Sequence, residues 1–203
     1  MTLGGKERKG TPSRVVFLFD VDNTLLDNDR VTADLKQHLR DTVGAERQAR
    51  YWEIFEQLRR DIGYADYLGS LQQYRIENPR ETKLFEVSHF MIDYPFAKRL
   101  YPNSPDVVEN AKRVGPAVIL SDGDVVFQPR KIQRSGLGDV FGENILIYIH
   151  KEQCFDDVEA RHPVTTFSWM TRFDCSMPQK GFGETVSPRY FPARGIMRTI
   201  WRR

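Results

Sequence analysis

Cysteine is nearly absent: Cys154 and Cys175 are the two in 203 residues. They have neither C-x-x-C spacing nor the density of a disulfide framework, so two reduced thiols are expected. Histidine is equally sparse. His38, His89, His150 and His162 are scattered without ligand spacing, which excludes a zinc site of ordinary pattern. No stretch approaches the roughly 20 apolar residues of a membrane span, and residues 1–14 have no apolar run of the signal-peptide kind. The expected location is therefore cytoplasmic, with no membrane partner. Repeats and low-complexity tracts are also missing. Gly136, Gly138 and Gly142 do not match dinucleotide-binding spacing and read as turn glycines.

A strong charge of one sign is lacking overall, since Lys+Arg number 30 and Asp+Glu 28. No nucleic-acid partner is expected from that balance, and the arginines of the tail lack a recognition element. The distribution is uneven. Residues 1–14 carry four basic residues and one acid, and residues 168–203 carry seven and two, which leaves 19 basic against 25 acidic residues in 15–167. The acidic middle reads as a domain, the first 14 residues as a basic flexible leader, and 168–203 as a basic tail of different character.

Within the middle, Val15-Val16-Phe17-Leu18-Phe19 is a β-branched and aromatic run that ends in acids, as expected of a strand buried on both faces. Ala117-Val118-Ile119-Leu120 and Ile145-Leu146-Ile147-Tyr148-Ile149 repeat the pattern. Helical stretches follow each, so the expected fold is α/β: a three-layer, Rossmann-like parallel sheet at 15–29 and 101–167. Residues 30–100 are expected to form an inserted helical lobe. In it Thr32 caps a helix through Leu39, and a second helix over 46–62 places Tyr51, Ile54, Phe55 and Leu58 on one face. A third runs through Leu84, Val87, Phe90 and Met91, ahead of Pro95. The aromatic stripe is expected to pack against neighbouring helices rather than line a pocket.

In parallel sheets functional groups collect at the carboxyl ends of strands, and Asp20, Asp22, Ser121 and Lys151 all fall there. Phosphoryl transfer needs a nucleophile in line with phosphorus, positive charge on the equatorial oxygens and a proton for the leaving oxygen. Asp20 suits the nucleophile and Asp22 the acid and base. Ser121 can donate to a phosphoryl oxygen, and Lys151 adds charge. Two carboxylates facing a phosphate repel it, so Mg²⁺ is expected between Asp20 and Asp22, with a small phosphorylated molecule as substrate. Lys131, on the helix after Ser121, competes with Lys151. Lys151 is preferred because it follows a strand directly.

The run Phe17-Leu18-Phe19-Asp20-Val21-Asp22-Asn23-Thr24-Leu25-Leu26 resembles the first motif of the haloacid dehalogenase-like hydrolases. Ser121-Asp122-Gly123 resembles their second motif, Lys151 their third, and the helical lobe their mobile cap. The resemblance implies Mg²⁺-dependent hydrolysis through an aspartyl-phosphate, with Thr24, Ser121, Asp122, Gly123 and Lys151 around the phosphate. Members similar to the dehalogenases lack an aspartate at the Asp22 position, so Asp22 argues for phosphoryl chemistry. A phosphomutase and a non-catalytic phosphate-binding module of the same fold are the alternatives.

The resemblance also implies a fourth motif, an acidic pair after the next strand, expected after Val164-Thr165-Thr166-Phe167. The sequence there is Ser168-Trp169-Met170-Thr171-Arg172, with Asp174 the first acid downstream. Trp and Met have one codon each, so Trp169-Met170-Thr171 is encoded TGG-ATG-ACN. Regrouped from the third base of the Trp codon, this gives GAT-GAC, two aspartates, without any choice of codon. A single-base deletion near the codons for Thr165 and Thr166 accounts for this; a divergent lineage with a natural basic tail is the alternative.

Overall fold

The computed structural model describes residues 15–163, 166–170 and, for the backbone, 189–192. The basic leader and most of the tail, with Asp174 and Cys175, lie outside the described residues.

Strand β1 (Val15–Phe19) forms where four consecutive residues, Val16 to Phe19, can all be buried. Its alternating side chains serve both faces of the sheet, and each such burial is worth about 1.5–3 kcal/mol. Strands β2 (Ala117–Asp122) and β4 (Thr166–Met170) flank it in parallel, and β3 (Ile145–Tyr148) lies outside β2. The order is β3-β2-β1-β4-β5, with β5 (Arg189–Pro192) antiparallel to β4. The parallel α/β expectation holds for these first four strands. The expected fourth strand at 164–167 is shifted, because the register pairs Val15 with Thr166 and Phe19 with Met170.

One sheet face packs Phe17, Phe19, Ala117, Ile119 and Met170 into the larger core cluster. Helices α5 (Ser104–Lys112), α6 (Phe127–Ser135) and α7 (Leu137–Phe141) contribute to it through Val107, Val108, Ile132, Leu137 and Phe141. The opposite face carries Val16, Leu18, Val118, Leu120 and Phe167 against Val158 of the short α8 (Phe155–Arg161).

Four helices lie between β1 and β2: α1 (Asn28–Val43), α2 (Ala45–Ile62), α3 (Tyr67–Glu77) and α4 (Leu84–Asp93). Helix α1 begins earlier than Thr32, since the Asp27 side chain accepts from the Arg30 N–H at 3.0 Å and so caps the first turn. Thr32 instead hydrogen-bonds the Tyr67 hydroxyl at 3.1 Å. Tyr51, Ile54 and Phe55 of α2 are buried, and Phe55 packs on Tyr67 with ring centroids 4.8 Å apart. Tyr67 in turn packs on Phe127 of α6 at 5.0 Å, and the Arg130 and Arg134 side chains reach Asp93. Among the described residues no helix is long and apolar enough to cross a membrane.

Candidate functional site

The loop after β1 is built by alternation. Val21, Leu25 and Leu26 are fully buried and anchor it, while Asp20 and Asp22 keep side chains 25% and 32% exposed. The Leu25 and Leu26 amides both donate to the Val21 carbonyl at 3.0 Å, and the buried Ser104 hydroxyl donates to the Leu25 carbonyl at 3.0 Å. Asn23 sits at φ 57°, a left-handed turn position that asparagine tolerates. Its side-chain oxygen accepts from the Asn28 and Asp29 amides at 3.0 and 3.2 Å, tying the loop to the first turn of α1.

Two buried lysines meet the two aspartates. Lys151, in the turn after β3, places Nζ 2.9 Å from Asp20 Oδ1 and 3.5 Å from Asp122 Oδ2. Its backbone N–H also donates to Asp122 Oδ1 at 2.7 Å. Asp122 therefore spends both carboxylate oxygens on Lys151 and so positions the lysine. Lys131, 1% exposed on α6, donates to both Asp22 oxygens at 2.7 and 2.9 Å and to Asn28 Oδ1 at 3.0 Å. The competition between the lysines resolves into a division: Lys151 sits on Asp20, and Lys131 on Asp22.

Burial pushes the Asp20 carboxyl above its ordinary value, the Lys151 ammonium draws it back down, and neighbouring Asp22 adds to the rise. A poorly solvated carboxylate beside an ammonium is suited to nucleophilic attack, because little water must be shed first.

Ser121 is 1% exposed at the end of β2 and accepts from Gln128 Nε2 at 2.9 Å. Gln128 thus orients the hydroxyl, a role that no spacing in the sequence signals. The Gly123 N–H is committed to the Tyr148 carbonyl at 3.0 Å. Its lack of a side chain is required by packing, since a Cβ there would lie 2.5 Å from Gln128 Cβ. Thr24, 8% exposed, lies in the loop with its N–H 3.3 Å from the Val21 carbonyl. Asn28, which bridges Lys131 and the Tyr67 hydroxyl, was not among the expected site residues.

The helical insertion reaches the same end of the sheet. Gly63, at the left-handed end of α2, lies so close to His150 that a Cβ would be 2.7 Å from its Cε1. His150 immediately precedes Lys151.

The sequence model of the family described as "Hydrolase: haloacid dehalogenase-like hydrolase" matches residues 15–161. No curated protein matches the chain. The crystal structure of a protein assigned to the haloacid dehalogenase-like hydrolases, from Burkholderia xenovorans LB400, is 57% identical with a TM-score of 0.75, covering 78% of this chain and 74% of that one. A haloacid dehalogenase-like family hydrolase from Xanthomonas campestris is 17% identical with a TM-score of 0.55, over 78% of this chain and 74% of its own. YfnB from Bacillus subtilis, solved bound to magnesium, is 20% identical with a TM-score of 0.50 over 75% of each chain. The last two show the fold alone.

Proposed function

From the premise that the chain belongs to the haloacid dehalogenase-like hydrolases, we propose that its site is built to hydrolyse phosphomonoesters of small metabolites through an aspartyl-phosphate on Asp20. The observation that carries this reading is the second acid: Asp22 shares the loop with Asp20 and has its own lysine, so the two carboxylates are held apart for separate tasks. An Asp20 carboxylate oxygen attacks phosphorus while the bond to the ester oxygen breaks, and Asp22 gives that oxygen its proton. Water then attacks the aspartyl-phosphate at phosphorus, Asp22 takes the proton back, and phosphate leaves with Asp20 regenerated. In the arrangement described, both Asp22 oxygens accept from Lys131, so Asp22 has to release that lysine before it can serve the leaving group. Lys151 and the Ser121 hydroxyl would meet the charge on the phosphoryl oxygens.

Magnesium is what the resemblance leads one to expect, and the Bacillus subtilis protein binds it. A small hard cation asks for near-octahedral oxygen ligation. Asp20 and Asp122 are engaged by Lys151 and Asp22 by Lys131. Among the described residues no three acids, histidines or cysteines come together as a metal cluster. Among the described residues the donor set does not fit Mg²⁺.

That gap favours a second reading, a site that holds phosphate without turning it over. Incubation of the purified chain with a panel of phosphorylated metabolites and Mg²⁺, beside an Asp20→Asn control, separates the two. Phosphate release above the control supports catalysis. Saturable phosphate binding that is lost in Lys151→Met, with no release, supports the second reading.

A further inference from the structure

Lys131 is 1% exposed, so its ammonium has to find its acceptors inside the protein. Its three N–H donors meet three oxygens: the two of Asp22 at 2.7 and 2.9 Å, and Asn28 Oδ1 at 3.0 Å. The reaction draws Asp22 away. A buried charge stripped of its partner is strongly destabilised, so a lysine held by Asp22 alone would resist the movement that catalysis needs. Asn28 changes that balance.

The Asn28 side chain is fixed at both ends. Its backbone N–H donates to Asn23 Oδ1 at 3.0 Å, which anchors it at the start of α1. Its Nδ2 donates to the Tyr67 hydroxyl of α3 at 3.4 Å, which leaves Oδ1 turned to Lys131. That hydroxyl is itself held by Thr32, and the Tyr67 ring packs on Phe55 and Phe127. Phe127 also faces the ammonium: Lys131 Nζ lies 5.2 Å from its ring centroid, within cation–π range. An amide oxygen and a ring face are neutral, weaker partners than a carboxylate. They do not displace Asp22, but they remain when it turns.

We propose that Asn28 is a positioning residue: its Oδ1, oriented by Tyr67, keeps the Lys131 ammonium when Asp22 swings to the ester oxygen, and so sets how readily Asp22 is freed. This role rests on the reading of Asp22 as the acid and base of the reaction. The lysine keeps all its protons, and only hydrogen-bond acceptors are exchanged. Because the orienting hydroxyl belongs to the helical insertion and Lys131 to α6, Asp22 is freed most readily while the insertion is seated on α6.

Urea unfolding of the full chain reads the exchange without any turnover. Asp22→Ala and Asn28→Ala each leave the ammonium one oxygen partner, and each should lower the midpoint by about 0.5 M. Together they leave it none, and the midpoint should fall by about 2 M, twice the sum. Adding Lys131→Met to that pair removes the stranded charge and should raise the midpoint, or restore folding where the pair does not fold. Additive falls, or no gain from Lys131→Met, overturn the proposal. In phosphomonoester turnover Asn28→Ala should lower kcat about 10-fold with KM kept, Tyr67→Phe should lower it less, and Asn28→Asp, which keeps the acceptor, should restore it. An unchanged kcat in Asn28→Ala also overturns the role. A native chain that releases no phosphate sinks the phosphomonoester reading instead, and the urea series still decides whether Asn28 takes the ammonium.

Discussion

Two buried serines on strands flanking β1 should respond to the same substitution with opposite sign. Ser168 on β4 is 0% exposed and its hydroxyl is unpartnered, whereas Ser121 on β2 is 1% exposed and accepts from Gln128 at 2.9 Å. Ser168→Ala removes a buried hydroxyl whose desolvation costs about 1–3 kcal/mol, and leaves a void smaller than a methyl group, worth about 0.5–1 kcal/mol. The net expectation is stabilisation of about 1 kcal/mol. Ser121→Ala leaves the Gln128 amide without its acceptor and should destabilise by about 1–3 kcal/mol. In urea, with a slope of about 2 kcal/mol per molar, the midpoints should move up by about 0.5 M and down by about 0.5–1.5 M respectively. The two strands are adjacent to β1 on either side, so differences in sheet position do not explain a split in sign. If Ser168→Ala lowers the midpoint as far as Ser121→Ala does, the hydroxyl has a partner and the account of β4 is wrong.

Lys131→Met should destabilise by about 1–3 kcal/mol, chiefly because Asn28 and Asp22 lose a charged donor, and urea unfolding measures it. Gly63→Ala adds a Cβ at φ +81° and 2.7 Å from His150, so a loss of about 1–2 kcal/mol is expected, and a double-mutant cycle with His150→Ala should recover the steric part but not the backbone part. His162 is held below its ordinary value of 6.5 first by burial and then by Arg161. The unfolded chain then binds the proton more readily than the folded one, so this contribution is present above pH 6.5 and is lost as the pH falls from there through the folded-state value. Melting curves from pH 8 to 5 should show a fall that flattens in His162→Gln.

The sequence made the first strand and its loop legible because five apolar residues followed by spaced acids have few other uses. Ser121 and Lys151 could be placed because each follows a buried run, and the sheet register then brings them to the same edge as Asp20. Which lysine served which acid was not legible, because it depends on the rotation of α6, set by Phe127 and Ile132 in the core. Helix α3 escaped notice although Tyr67, Leu71 and Tyr74 form its buried stripe, because Leu68 and the exposed Ile76 lie off that stripe and blur the pattern. The cap at Asp27 was hidden by Thr32, an equally good capping residue that tertiary contact claims for Tyr67. The placement of β4 follows from pairing with β1, which no local pattern in 164–170 reveals.

The most direct trial of Asp20 as a phosphoryl nucleophile is turnover of a phosphomonoester by the purified chain in heavy-oxygen water. Water attack at phosphorus places the heavy oxygen in released phosphate and none in the Asp20 carboxylate, and this is the result expected. Heavy oxygen recovered in Asp20 would contradict the account, because it marks attack on the carboxyl carbon, the route by which an alkyl ester of Asp20 would be hydrolysed.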